Sequence, residues 1–393
     1  MSGTAFFDLP FFDDSHRALA ARLQEFVARE IAPRAADEEA GDVNQKTLEL
    51  VRLLARGGVL GMLAPSAYGG DRPTVRATDL CLARDLLAYH SGLADVAFAM
   101  QGLGSYPITL AGGEEMKKKF LPRVIAGEAA ATFALTEPEA GSDVSAICTL
   151  ARRDGNGYHV SGIKRFISNS PVADVLILFA STDPTAAAKG LSAFVLEKGM
   201  KGLSVRPMEL IAPHSIGELV LEDVRVPESN RLGKEGEGFR VAMDTLALFR
   251  ATVGAAAVGM ARRALDEAIL YAKRRVQFGR PIAEFQGLQF YLADMATELD
   301  AARLLVYRAA WKFDRGEAAG QESSMAKLHA TEVAQRVIDK ALQIHGGLGV
   351  VKGVMVERLY REIRALRIYE GSSEIQRLIL ARGLLKASSP RES

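Results

Sequence analysis

The chain is poor in the residues that mark several common kinds of site. Its 393 residues hold two cysteines and one tryptophan. Cys81 and Cys148 stand far apart in apolar-looking segments, so neither a disulfide framework nor a CxxC metal pair is present, and a reducing compartment fits. Excess charge of one sign is missing too. Lys and Arg number 49 against 48 Asp and Glu, a net charge of +1 with no basic or acidic block. Nucleic acid and anionic membrane are therefore poor candidates as primary partners. The six histidines (16, 90, 159, 214, 329 and 345) show no metal-ligand spacing; His214, after Pro213, and His345, at a helix end, read as structural. GxxxxGK[ST], HExxH and GxSxG are absent, which argues against P-loop, zincin and nucleophile-elbow chemistry. Met1 to Asp14 has no basic region ahead of an apolar core, and no run of about 18 apolar residues stands out. A cytoplasmic protein without membrane insertion is the expectation.

What is present is 48% hydrophobic and 25% charged residues, the balance of a globular protein with more than one core. Apolar residues recur at helical spacing over 15–35, 46–56, 74–90, 92–111 and 114–121, the last ending at Leu121-Pro122. From about 129 the period shortens. Strands are expected at 131–135, 158–160, 175–179, 191–196 and 218–221, with turns too short for parallel crossover helices. Gly233 to Gly238 reads as a linker. Helical periodicity then returns over 240–273, 285–315, 323–345 and 372–386, an antiparallel bundle. The expected architecture is α+β: a helical domain over 1–124, a β-barrel-like domain over 125–233 and a four-helix bundle over 234–393.

One stretch organises the reading: Ile368-Tyr369-Glu370-Gly371-Ser372-Ser373-Glu374-Ile375-Gln376-Arg377. Ser373 with Gln376 three residues on has the form of a capping box. Glu370 is then a loop carboxylate beside a helix N-terminus, flanked by apolar residues. Desolvation raises such a carboxyl and the helix end lowers it, which suits a general base. Taken alone, this stretch fits a solvated loop glutamate beside a helix cap better than a general base.

Other stretches decide between them. Residues 133–143, Phe-Ala-Leu-Thr-Glu-Pro-Glu-Ala-Gly-Ser-Asp, resemble the flavin loop of acyl-CoA dehydrogenases. Lys164-Arg165-Phe166-Ile167-Ser168-Asn169 resembles the family's next flavin segment. Arg275-Val276-Gln277-Phe278-Gly279-Arg280-Pro281-Ile282 with Gln286, and Gln343-Ile344-His345-Gly346-Gly347, resemble its inter-subunit FAD contacts. Tyr369-Glu370-Gly371-Ser372 is similar to its catalytic-base motif. The five motifs stand in the family's order.

The resemblance implies FAD held by Phe133, Leu135, Thr136, Ser142, Phe166, Ser168, Arg275, Gln277, Phe278, Gln286, Gln343, Gly346, Gly347, Ser372 and Glu374. It implies an acyl-CoA touching Ser142, Arg250, Tyr369, Gly371 and Arg382. Glu370 would remove the α-proton and flavin would accept the β-hydride. Phe166 departs from the family's usual tryptophan, and Ser168 from its threonine. The 210–218 loop lacks the usual basic, serine- and threonine-rich character. Asp244, the nearest carboxylate before Arg250, lies more than a helical turn away and is a poor alternative base. Helix 92–111 has no Lys or Arg, which argues against a dicarboxylyl-CoA. A homotetramer and an electron-transfer flavoprotein partner are implied. An oxygen-using acyl-CoA oxidase of the same fold and a non-catalytic flavin- or CoA-binding scaffold are the alternatives; a monooxygenase relative would normally lack Glu370.

Overall fold

The computed structural model describes residues 5–387, so the extreme ends of the first and last expected domains lie outside the described residues. The chain forms two compact units. One comprises Ala36–Val75 and Leu93–Leu246, the other Met1–Ala35, Arg76–Gly92 and Ala247–Ser393.

The first unit combines helices α3 (Val43–Arg56), α5 (Gly92–Ala111) and α6 (Glu114–Ile125) with a β-sheet. Its strands are β1 (Ala131–Ala134), β2 (Leu150–Asp154), β3 (Gly157–Ser168), β4 (Val175–Ser181), β5 (Leu191–Glu197), β6 (Leu203–Pro207), β7 (Ile216–Pro227) and β8 (Arg231–Leu232). The order is β6-β7-β3-β2-β4-β5-β8, with β1 on β4. β4 is buried along its whole length, as an unbroken apolar run at the sheet centre must be. Tyr158, Leu176, Phe194 and Val224 meet in the core. Buried Gln101 on α5 accepts from Ala131 N–H at 2.7 Å and donates to the carbonyls of Val124 and Ala129. It thereby fastens α5 and α6 to the first strand.

Two expectations change here. β1 and β2 both run parallel to β4: the β2–β3 hairpin lies between β1 and β4 in the chain, and β3 alone between β2 and β4, where a helix would ordinarily make the crossover. Helix α6 continues through Pro122 to Ile125, and the carbonyl of Pro122 accepts from Ala126; only the proline's own donor is lost.

The second unit holds α1 (Asp14–Phe26), α2 (Ala32–Ala35) beyond a π-helical turn, α4 (Ala77–His90), most of α7 (Gly238–Arg274), α8 (Gln286–Asp314), α9 (Gly320–His345), α10 (Met355–Leu366) and α11 (Ser373–Ala387). A short hairpin of β9 (Val276–Gln277) and β10 (Arg280–Pro281) follows α7. α10 and this hairpin add to the four expected helices. α7 is long and apolar enough to cross a membrane by length and composition, but 78% of its most apolar window is buried inside the protein. Cys148 is exposed, unlike buried Cys81, so the apolar look of its segment did not forecast its burial.

Helices α4, α7 and α8 are tied by one carboxylate. Asp85 is 1% exposed and pairs with Arg262 at 2.7 Å and Arg303 at 3.1 Å, with the Tyr307 hydroxyl at 3.3 Å. Phe6 lies 3.6 Å from the Arg303 guanidinium. At Gly259 a Cβ would sit 2.2 Å from the Asp85 carbonyl, so only glycine allows α7 to cross α4 there. Asp85→Ala leaves buried arginine charge uncompensated and is expected to cost about 3–5 kcal/mol, measured by denaturant unfolding against wild type.

Candidate active site and cofactor cleft

In the sheet-containing unit, the stretch after β1 is built around Glu137. Its carboxylate accepts from the N–H groups of Cys148 at 2.6 Å and Thr149 at 2.9 Å, and from Lys164 Nζ at 2.8 Å. Lys164 also donates to the Leu135 carbonyl at 3.0 Å, and Arg165 N–H donates to the Thr136 carbonyl at 2.8 Å. Burial raises the Glu137 carboxyl, but the Lys164 ammonium and the hydrogen bonds outweigh it and hold it below the usual range. Burial pushes Lys164 down to about 8 despite its partner. This staple leaves Thr136 half-buried and Ser142 exposed, while Phe133 packs on Phe179 with ring centroids 4.8 Å apart.

The neighbouring strand carries a register shift between Lys164 and Ile167. Phe166 sits in it at φ 57° and is 53% exposed, with the Arg165 guanidinium 5.5 Å from its ring. Ser168 ends the strand and its carbonyl accepts from Thr132 Oγ1 at 2.6 Å. Just beyond, the side-chain amide of Asn169 and the Ser170 and Ser215 hydroxyls are buried without a protein hydrogen-bond partner.

In the helical unit, Glu370 has φ 53° and Gly371 φ 89°. The left-handed region costs a non-glycine residue of order 1–3 kcal/mol, and three side chains hold the loop there. Arg250 Nε donates to the Glu370 carbonyl at 3.4 Å. Gln376 Nε2 donates to the carbonyls of Glu370 at 3.2 Å and Gly371 at 2.9 Å. Lys327 Nζ donates to the Gly371 carbonyl at 2.7 Å. The expected capping box is shifted: Ser372 receives Ile375 N–H, while Ser373 donates its hydroxyl to Glu332 at 2.6 Å. The Ser373 N–H is not left for Gln376 Oε1 to accept, because it donates to the Arg367 carbonyl at 3.1 Å, while Gln376 Nε2 serves the Glu370 loop. Burial holds Arg250 below its ordinary value and pushes Lys327 to about 8. Asp244 is half exposed and pairs with Arg240 at 3.6 Å.

A cleft of about 740 Å³ in the same unit gathers Tyr271, Arg274, Arg275, Gln277, His345, Gly346 and Gly347. His345 stacks on Tyr271 with centroids 4.4 Å apart, and its Nδ1 lies 2.8 Å from the Ala341 carbonyl. The β9–β10 turn, Phe278 at φ 52° and Gly279 at φ 80°, leaves Phe278 94% exposed. Gln286 opens α8 and Gln343 lies in the last turn of α9, both exposed. Arg382 is exposed on α11, and Glu374 is exposed opposite Arg377 at 3.7 Å. Among the described residues, six non-glycines have positive φ. Phe166, Phe278 and Glu370 are three of them, and all three are residues the sequence singles out; strain of this kind concentrates at working sites.

Family models for the acyl-CoA dehydrogenase N-terminal, middle and C-terminal domains match residues 13–128, 132–224 and 236–385. The chain belongs to the acyl-CoA dehydrogenase family. It is 41% identical over 382 residues to the 3-(aryl)acrylate reductase of Clostridium sporogenes, covering 96% of this chain and 100% of that one. It is 38% identical over 386 residues to caffeyl-CoA reductase-Etf complex subunit CarC of Acetobacterium woodii, covering 96% and 100%. A solved acyl-CoA dehydrogenase complexed with FAD from Bacillus anthracis is 35% identical with a TM-score of 0.87, covering 97% of this chain and 68% of that one. This protein is thus an oxidoreductase of CH–CH bonds, with FAD as its cofactor.

The residues present fit that cofactor. Thr136 and Ser142 offer accessible polar groups, Phe166 a bared apolar ring, and the arginine- and glycine-lined cleft suits a pyrophosphate. Sequence reading missed the Glu137–Lys164 staple and the roles of Lys327 and Gln376. A signal existed for Lys327: it falls on the same helical stripe as Ser324, Thr331 and Ala334, all buried, where a solvated lysine does not belong. Lys164 titrates near 8 in the folded chain against a reference of 10.5. Between those values the unfolded chain holds the extra proton, so this group makes stability rise with pH. Unfolding free energies between pH 8 and 10.5 are expected to rise less steeply in Lys164→Met than in wild type.

Proposed function

We propose that Glu370 exchanges a proton with the α-carbon of an acyl-CoA thioester, and that an acyl-CoA is interconverted with its α,β-unsaturated form. Bound FAD supplies the hydride acceptor for desaturation and the donor for the reverse direction. The observation that carries the reading is the backbone of Glu370, a carboxylate residue kept in a costly conformation by three side-chain donors. An ordinary loop glutamate has no need of that support. Holding the carboxylate at a fixed place shortens the search for a productive geometry. An α-proton is weakly acidic, so the thioester oxygen also needs a donor; the backbone N–H of Glu370 takes that role.

In this reading Phe133, Leu135, Thr136, Phe166 and Ser168 meet the flavin ring. Arg275, Gln277, Phe278, Gln286, Gln343, Gly346 and Gly347 serve the FAD of a neighbouring subunit, with Ser372 and Glu374 as further cofactor contacts. Ser142, Arg250, Tyr369, Gly371 and Arg382 meet the substrate. Exposed Phe278, Val350 and Leu385, 94%, 70% and 72% exposed, support burial in a homotetramer. The domain limits of 1–124, 125–233 and 234–393 belong to the same proposal, as does a cytoplasmic location, which the two free cysteines support. The relative named as part of an Etf complex supports an electron-transfer flavoprotein as partner. The relatives named for aryl acrylate and caffeyl-CoA favour a substrate with an aromatic tail. In the reducing direction Glu370 returns the proton it otherwise removes. Glu370→Gln is expected to keep FAD bound while kcat/KM falls by at least about 100-fold. Turnover within a few-fold of wild type would remove Glu370 from the base role.

A further inference from the structure

Lys327 lies in the buried stripe of α9 and is 0% exposed. An ammonium in such a place is costly unless its charge is used. Its Nζ donates to the Gly371 carbonyl at 2.7 Å, the residue after the base. The charges acting on it are Glu370 first, then Arg250, Glu332 and Glu374. Glu332 is held by Arg367 at 2.9 Å and by the Ser373 hydroxyl at 2.6 Å. Glu374 is exposed and faces Arg377, and Arg250 donates to the Glu370 carbonyl. The Gly371 carbonyl already has an uncharged donor in Gln376 at 2.9 Å. A second donor that carries a buried positive charge therefore contributes something the amide does not.

We propose that Lys327 is a positioning residue for Glu370: its ammonium pins the Gly371 carbonyl, and its charge keeps the Glu370 carboxylate ionised. This rests on the assignment of Glu370 as the base. Pinning Gly371 resists relaxation of Glu370 out of its left-handed backbone. The charge stabilises the ionised form of a carboxylate that sits among partly buried groups. Arg250 contributes charge of the same sign and is unchanged in every variant below, so any difference between them belongs to Lys327.

The test is the acid limb of kcat/KM against pH for FAD-loaded wild type, Lys327→Arg, Lys327→Gln and Lys327→Met. Loss of the charge raises the proton affinity of the base, so the limb in Gln and Met moves to higher pH by about one unit. Arg keeps the charge and leaves the limb in place. A limb that stays put in Gln and Met, with losses only in folded or flavin-loaded protein, reduces Lys327 to a packing anchor and overturns the proposal. A second readout needs no lysine variant. In protein labelled with ¹³C at lysine Cε, the Lys327 titration, near 8 in wild type, moves lower in Glu370→Gln because the favourable charge is gone. An unmoved titration overturns the proposal as well. Turnover retained in Glu370→Gln would instead sink the base assignment itself, so the two failures are distinguishable.

Discussion

The site depends on holding one residue where its backbone would not rest unaided. Glu370 is strained at φ 53°, and the loop stays there because Arg250, Lys327 and Gln376 spend their donors on two successive carbonyls. Those side chains come from α7, α9 and α11. The helical unit is in that sense a frame for two peptide groups, and its buried charges are the cost of the frame. The same economy recurs in the sheet-containing unit. There the Glu137–Lys164 pair consumes the inward polar atoms after β1 and leaves Thr136 and Ser142 accessible.

Strain and buried charge go together in this protein. An uncharged core would be simpler to fold, since an ion pair in a low-dielectric interior seldom repays its desolvation. Lys164 and Lys327 both lie in the core, and burial pushes both down to about 8. Each sits against a loop that the family resemblance marks for chemistry. Asp85 is the contrasting case. Its two arginines and its tyrosine join α4, α7 and α8, and it has no place in the proposed reaction.

Much of this was readable from the residues. β4 announces itself as an unbroken apolar run, and the long helices by their stripes. Glu370 is marked by the glycine after it. Other elements hide for physical reasons. β2 reads Leu-Ala-Arg-Arg-Asp, too polar to signal a strand, because only Ala151 is fully buried. α10 keeps its apolar stripe at Val356, Leu359, Ile363 and Leu366 but fills most other positions with Arg and Glu. The parallel pairing of β1 with β4 is invisible to periodicity, which reports faces and not partners. The cap falls on Ser372, one residue before the position the pattern suggests, because a pattern of residue types cannot show that the Ser373 N–H and hydroxyl go to the Arg367 carbonyl and to Glu332. Lys327 was legible only as an anomaly, a cation on a buried stripe, and its use becomes clear only when Gly371, 44 residues on, is brought beside it.

The central claim is that this scaffold performs proton and hydride transfer on an acyl-CoA. The most direct measurement is the visible spectrum of the FAD-loaded protein, titrated without oxygen against a panel of acyl-CoAs. Oxidised and chemically reduced flavin should both be used as starting states, with straight, branched, cyclic and aromatic-tailed chains. The account predicts that one class bleaches the flavin band, and that its α,β-unsaturated counterpart restores the band after chemical reduction. A flavin band indifferent to every thioester in both directions would contradict it and return the chain to a scaffold that binds FAD without using it.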